Sequence, residues 1–178
     1  AKFFFEKDRA TPLADRRTGL AKLTFQEKLG SYAEKSARLI ALADSIARAA
    51  RVSDLSAVRS AAELLKVGLA TDTVKEFTDL LGVVGGLYAR AEGAPEPVWQ
   101  AIYDQYRPAG AKDSRPRGEV GQVTALADRL DDVGDPAAHR HRLSVRVEPV
   151  LPHHPPLGEN DDHRLGIDPA QQLEPGVV

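Results

Sequence analysis

The sequence predicts an all-α protein: a helical bundle followed by a C-terminal tail too rich in proline to fold. Three observations carry that reading. Through residue 131 apolar residues recur at alternating steps of three and four, which keeps them on one face of a helix. Residues with capping side chains stand where those runs begin. Nowhere before residue 131 does a run alternate apolar and polar residues for long enough to predict a strand.

The first eight residues carry Phe3-Phe4-Phe5, which suits a buried strand or the end of a helix equally well. Thr11-Pro12 predicts a helix entry, with a capping hydroxyl followed by proline at the first helical position. That helix is expected to turn Leu13, Leu20 and Leu23 inward and Arg16, Arg17 and Lys22 outward until Gly30 ends it. Ser31 and Glu34 have capping-box spacing, each covering a free donor of the other. Behind them Tyr32, Leu39, Ala43, Ile46 and Ala50 form one stripe, so residues 1–50 read as a helical hairpin or linker region.

Residues 51–131 read as the bundle proper. Leu55, Val58, Ala62, Leu65 and Leu69 share one helical face, and Val74, Phe77, Leu81, Val84 and Tyr88 share a second, with Thr71 placed to cap the new helix. Gly82, Gly85 and Gly86 fall inside this second run at a cost of roughly 1 kcal/mol each against alanine, which predicts close approach of another backbone. Pro95 and Pro97 open a further helix, with Trp99, Ile102 and Tyr106 on one side. Residues 108–118 read as a loop, and Val120, Val123, Ala127 and Leu130 mark the last helix.

From residue 132 the character changes. The last 47 residues hold seven of the twelve prolines and all five histidines. Such a segment buries too little apolar surface to offset its chain entropy, so residues 132–178 are expected to be disordered.

The formal charge of −2 over 178 residues gives no general attraction to nucleic acid or anionic lipid. The first 50 residues are different, with ten Lys and Arg against six Asp and Glu, a local balance of +4. The absence of cysteine removes disulfides, thiolate catalysis and thiolate metal sites together. With no apolar run of membrane-spanning length and no leader pattern, a cytoplasmic protein is expected. The lack of methionine at position 1 predicts that the chain starts inside a longer reading frame or has been processed.

The words LATDTVKEFTDLLGVVGGLYARAEG, AIYDQYRP and ALADRLD, with AKFFFEKD and LTFQEKLGSYAEKSARL before them, resemble the beta subunit of the bacterial two-subunit glycyl-tRNA synthetase. The resemblance runs from residue 1 to about residue 131. It implies a cytoplasmic ligase that joins glycine to tRNA(Gly) using ATP with Mg, in an alpha2beta2 tetramer whose alpha subunit carries the active site. The beta subunit would contribute tRNA recognition, partly through an anticodon-binding region outside these residues. A piece such as this one is then expected to bind no cofactor and to be inactive alone.

In the resembling subunits a helical continuation follows ALADRLD; here DDVGDPAAHRHRLSVRVEPVLPHHPP stands instead, and the tail is expected to be out of frame or otherwise not a natural continuation. Leu80-Leu81-Gly82 replaces a common Leu-Gln-Gly, and Gly68 replaces a frequent aspartate.

The same resemblance points to a helical domain of the HD type, whose hydrolases hold metal with a histidine, a His-Asp pair and a later aspartate. Here the pair's place reads Lys66-Val67-Gly68-Leu69, and only Asp128 or Asp131 resembles the last ligand. One carboxylate on a helix makes no transition-metal site, so an HD-like scaffold without phosphohydrolase activity is expected. His139, His141, His153, His154 and His163 lack a packed scaffold that would fix ligand geometry.

Asp72, Glu76 and Asp79 stand about one helical turn apart, and Asp72 and Glu76 suit the electrostatics of a helix start better than acid–base chemistry; Tyr88 and Tyr106 suit the core better than base stacking. No glycine-rich phosphate loop is present, since Gly82, Gly85 and Gly86 precede no lysine. The residues expected to touch tRNA phosphates, chosen by local charge, are Arg9, Arg16, Arg17, Lys22, Lys28, Lys35 and Arg38. An HD-type metal phosphohydrolase and a helical protein-interaction module are the competing functions.

Overall fold

The computed structural model describes residues 2–26 and 29–133. Within them the chain is mostly helical: α1 (Lys2–Arg9), α2 (Tyr32–Ala49), α3 (Leu55–Leu64), α4 (Asp72–Glu76), α5 (Val83–Ala91), α6 (Glu96–Tyr103) and α7 (Gly118–Val133). Short 3-10 stretches at Ala14–Lys22, Val67–Ala70 and Thr78–Leu80 join some of them. Helix α7 carries Asp132 and Val133, two residues past the expected start of the tail, and residues 134–178, with all five histidines, lie outside the described residues.

The helix expected from Thr11-Pro12 to Gly30 does not form. The chain instead makes 3-10 turns over Ala14–Lys22 and then a small antiparallel hairpin, β1 (Thr24–Gln26) with β2 (Gly30–Ser31). Leu13 and Leu20 are buried, but two such anchors seven residues apart are too sparse to hold a long amphipathic helix against its neighbours. Leu23 is already extended, with φ −98 and ψ 112.

The capping box is present as expected. Ser31 Oγ accepts from the Glu34 N–H at 3.4 Å, while Glu34 takes the Ser31 N–H at 2.6 Å. Behind it α2 turns Leu39, Ala43 and Ala47 into the core and packs against α3 and α7. The core is therefore continuous across residue 50. It is rich in alanine: Ala43, Ala47, Ala61, Ala62, Ala101 and Ala127 are all at most 1% exposed, so the helices approach closely.

The second predicted helix of the central stretch is broken into α4, a 3-10 turn and α5. Its apolar positions keep their burial at Val74, Val84 and Tyr88, so the periodicity named the right residues while missing the break. The break falls at Gly82, which has φ +87 and serves as the N-cap of α5, where a Cβ would lie 2.8 Å from the Tyr106 ring. Gly86 is inside α5, as expected, and is pressed against α6: a Cβ there would lie 2.8 Å from the Tyr103 backbone nitrogen. Helix α6 stops at Tyr103, so Tyr106 lies beyond it and does not continue the face of Trp99 and Ile102.

Candidate functional site

The most charged place in the interior is where α2 and α7 meet the turn after α3. Leu64 and Leu65 carry the chain inward, and the next residue, Lys66, is 3% exposed. Its ammonium donates to Asp128 Oδ2 at 2.7 Å, Gln105 Oε1 at 3.0 Å and the Tyr106 hydroxyl at 3.4 Å. It also lies 4.6 Å from the centre of the Tyr106 ring. Burial alone would lower the Lys66 pKa, but Tyr106 and the Asp128 carboxylate outweigh it and hold the group above its ordinary value.

A second ammonium closes the other side. Lys35, on the first turns of α2 and 2% exposed, lies 3.2 Å from Asp128 Oδ1, 3.0 Å from Asp131 Oδ2 and 2.8 Å from Asp132 Oδ1. Its Nζ sits 4.5 Å from the centre of the Phe25 ring in β1. Here too desolvation works against the charge and is outweighed by Asp128, Asp132 and Asp131. Arg38, one turn further on, grips Asp131 with two donors at 2.6 and 3.2 Å. Against the pull of burial, Arg38 and Lys35 keep the Asp131 carboxyl below its usual range.

Three cations thus face three carboxylates, and the centre is electrically closed. Asp128, Asp131 and the stretch 66–69 are where the sequence reading looks for a metal site, and the donor set does not fit a metal. A cation brought to Asp128 would meet the Lys66 and Lys35 ammonium groups, which are like charges and offer no lone pair. Among the described residues, no group of three or more His, Cys, Asp or Glu side chains is placed to hold a metal ion.

A further buried carboxylate escaped the sequence reading. Asp8, at the end of α1 and 2% exposed, accepts from the backbone N–H groups of Asp72 and Thr73, each at 2.9 Å, and from the Thr73 hydroxyl at 2.7 Å. Tyr88 donates to it at 3.1 Å, and Arg16 pairs with it at 3.2 Å. Desolvation opposes its charge, yet these hydrogen bonds hold its pKa below the ordinary value. Thr71 Oγ1 accepts from the Val74 N–H as the sequence predicts, so α4 is capped both locally and from α1.

The residues proposed for phosphate contact are spread differently. Arg9 and Lys22 are exposed, Arg9 lying over the Phe5 ring and Lys22 closing the Ala14–Lys22 turns. Arg17 is exposed and makes a 3.2 Å surface pair with Glu63. Arg16, Lys35 and Arg38 are engaged with Asp8 and the Asp128–Asp132 cluster, and Lys35 has no surface to offer. Lys28 lies outside the described residues.

Asp72 stands at the start of α4 as expected, paired with Lys7 and Lys75, which pull its pKa down to about 2. Tyr88 is buried, as expected for a core residue, and burial raises its pKa. Lys66 enters the sequence reading only as the residue that begins the stretch standing in place of a His-Asp pair. Asp8 gave no signal, because the donors that bury its carboxylate, on Asp72, Thr73 and Tyr88, lie more than sixty residues away.

The fold and the site define a close helical bundle whose central charges pair with one another, with Arg9, Arg17 and Lys22 on its outside. Comparison with known sequences agrees with the resemblance. The family model described as "Glycyl-tRNA synthetase beta subunit" matches residues 1–136. The glycine–tRNA ligase beta subunit of Rhodospirillum centenum is 46% identical over 133 residues, covering 74% of this chain and 19% of that subunit. That of Methylobacillus flagellatus is 44% identical over 132 residues, with the same shares.

The Paracidovorax citrulli subunit is 44% identical over 172 residues, covering 85% of this chain and 24% of the subunit, a share of the chain that necessarily includes residues past 136. The chain belongs to the glycyl-tRNA synthetase beta subunit family. It spans about a fifth to a quarter of the length of these relatives.

Proposed function

We propose that this chain is a non-catalytic, tRNA-gripping part of a glycine–tRNA ligase beta subunit, built on an HD-like scaffold that has exchanged metal ligands for an internal ion cluster. In this reading the complete enzyme is a cytoplasmic alpha2beta2 tetramer, and the alpha subunit attaches glycine to tRNA(Gly) with ATP and Mg. The observation that supports it is the Lys66–Asp128 contact at 2.7 Å, an ammonium held on one of the two aspartates that the HD resemblance would make a metal ligand.

Arg9, Arg17 and Lys22 are the phosphate contacts this reading favours, because their charges face solvent. Contacts of this kind fix the position of an RNA without reading its bases. Lys28 remains a candidate by charge alone.

Filter binding of tRNA(Gly) to this chain at several salt concentrations tests the reading. Binding is expected to weaken as salt rises, and changing Arg9, Arg17 and Lys22 together to Gln should reduce the logarithmic salt slope by about two to three. Salt-independent binding, or an unchanged slope in the triple variant, would overturn it. A metal phosphohydrolase gains no support from this donor set. A pure protein-interaction module would instead capture its partner undiminished after nuclease treatment.

A further inference from the structure

Where the first turns of α6 and α7 meet the turn before α3, they leave a cleft of about 340 Å³ lined by Asp54, Pro97, Gln100, Arg117 and Glu119 among others. Its polar groups differ in how far they are already engaged. Arg117 is fixed, because its guanidinium donates to both oxygens of the fully buried Asp104, at 2.7 and 3.0 Å. The same guanidinium lies 5.6 and 5.4 Å from the centres of the Trp99 and Tyr103 rings. An arginine paired and backed in this way keeps a planar face on which a flat ring can stack. Asp54 caps α3, and Gln100 donates to Glu96 at 2.7 Å. Glu119 is exposed and makes no hydrogen bond or ion pair among the described residues.

The loop that leads into the cleft has the opposite charge. Residues 107–117 hold four Lys and Arg against one Asp, a balance of +3. The loop is held by its own contacts: Asp113 accepts from the Ala109 and Ser114 N–H groups at 2.9 and 2.8 Å, and Arg107 donates to the Ser114 hydroxyl at 2.6 Å. Arg129 of α7 grips the Arg107 and Pro108 carbonyl oxygens. Lys112 and Arg115 are exposed and carry no ion pair among the described residues. Two unpaired cations on a loop already ordered lose little freedom when they take an anion.

A ligand that suits both parts is flat with hydrogen-bond donors at one end and anionic at the other, which is the form of a nucleotide. Its base has to be unpaired, since single-stranded bases are the ones open to stacking and to contact along their edges. A carboxylate accepts from the amino group of cytosine, whereas uracil presents an oxygen at that place.

We propose that this cleft and loop take one unpaired RNA nucleotide bearing an amino group, cytosine or adenine, with its base stacked on Arg117 and donating to Glu119 and its phosphate on Lys112 and Arg115. The inference rests on the reading that this chain grips RNA, and it adds a base contact to the phosphate contacts of Arg9, Arg17 and Lys22.

Trp99 is the single tryptophan of the chain, so its emission reports on the ring behind Arg117. Hexacytidylate and hexauridylate are titrated into the 178-residue chain at low salt while that emission is followed. Hexacytidylate is expected to change it and to bind about fivefold or more tightly than hexauridylate. Glu119→Ala should remove the preference, and Lys112→Gln with Arg115→Gln should lower the logarithmic salt slope by about one to two. All three positions are exposed, and an unchanged far-ultraviolet dichroism spectrum shows that the variants keep the fold.

Emission unmoved by saturating hexacytidylate, equal affinity for the two oligonucleotides, or a preference that survives Glu119→Ala would overturn the proposal. So would emission that responds to the glycine–tRNA ligase alpha subunit and to neither oligonucleotide, in favour of a protein contact. The triple variant of Arg9, Arg17 and Lys22 separates this site from the reading beneath it. Hexacytidylate should still move Trp99 emission in that variant, whereas tRNA(Gly) that binds with the expected salt slope and leaves Trp99 silent overturns the nucleotide site alone.

Discussion

Lys66 ties residues from three separate stretches of the chain into one buried cluster. Removing one partner of a buried ion pair leaves the other charge desolvated, and that loss is typically about 3–5 kcal/mol. Lys66→Met is therefore expected to destabilise the chain by about that much in urea unfolding, and a loss under about 1 kcal/mol would show that the cluster is not closed as described. The sequence made the position of Lys66 visible through the missing His-Asp pair. It did not reveal the pairing, because Asp128 and Gln105 reach Lys66 only through folding.

The same residues set the response to pH. Asp8 and Asp131 have native pKa values below the ordinary 3.8, so the stability they contribute is present above that value and is lost as pH falls through the native ones. Lys35 and Lys66 lie above 10.5, and theirs is present below that value and lost as pH rises past the native ones. Tyr32 and Tyr88 are held neutral by burial, with pKa values raised from 10.0, which adds to the loss in alkali. Asp72 is partly exposed and its Lys7 and Lys75 partners face solvent, so its shift counts for little. Urea unfolding of the chain against pH should show a plateau from about pH 5 to about pH 9 with a fall on each side; stability that climbs above pH 10 would contradict the cluster.

Among the elements, helices with local instructions were legible and those without were not. The Ser31–Glu34 box and the Thr71 cap are formed by residues three apart, and both are found as the sequence predicts. The Ala14–Lys22 turns and the β1–β2 hairpin went unread, because neither carries a stripe or an alternation long enough to register.

The glycines of the α4–α5 stretch were read as one packing device, but two roles are present. Gly82 turns the chain with a positive φ, while Gly86 lets α5 lie on the backbone of α6. Gly86→Ala should consequently destabilise the chain by about 1–3 kcal/mol, although alanine is the better helix former. A gain in melting temperature in that variant would show that the α5–α6 contact is looser than described.

At the scale of the whole molecule, the helical class and most of the core were written in the periodicity, since Leu39, Ala43, Val58, Leu65, Val84, Ile102 and Val123 are all buried where their stripes place them. The candidate site was only half legible. Charge along the chain cannot distinguish a lysine on the surface from one spent inside, and Arg9 and Lys35 looked alike until α7 brought its carboxylates to one of them.

The Asp8 carboxylate bears on how such a molecule is assembled. Five residues of α4 are far too few to persist as a helix in water by themselves, and two of the free donors at its start are satisfied by a side chain from α1. A ribosome delivers α1 well before α4, so the acceptor is waiting when its guest emerges. Order in this corner is inherited from the earlier segment, and a chain deprived of that segment would have a coil where this one has a turn of helix.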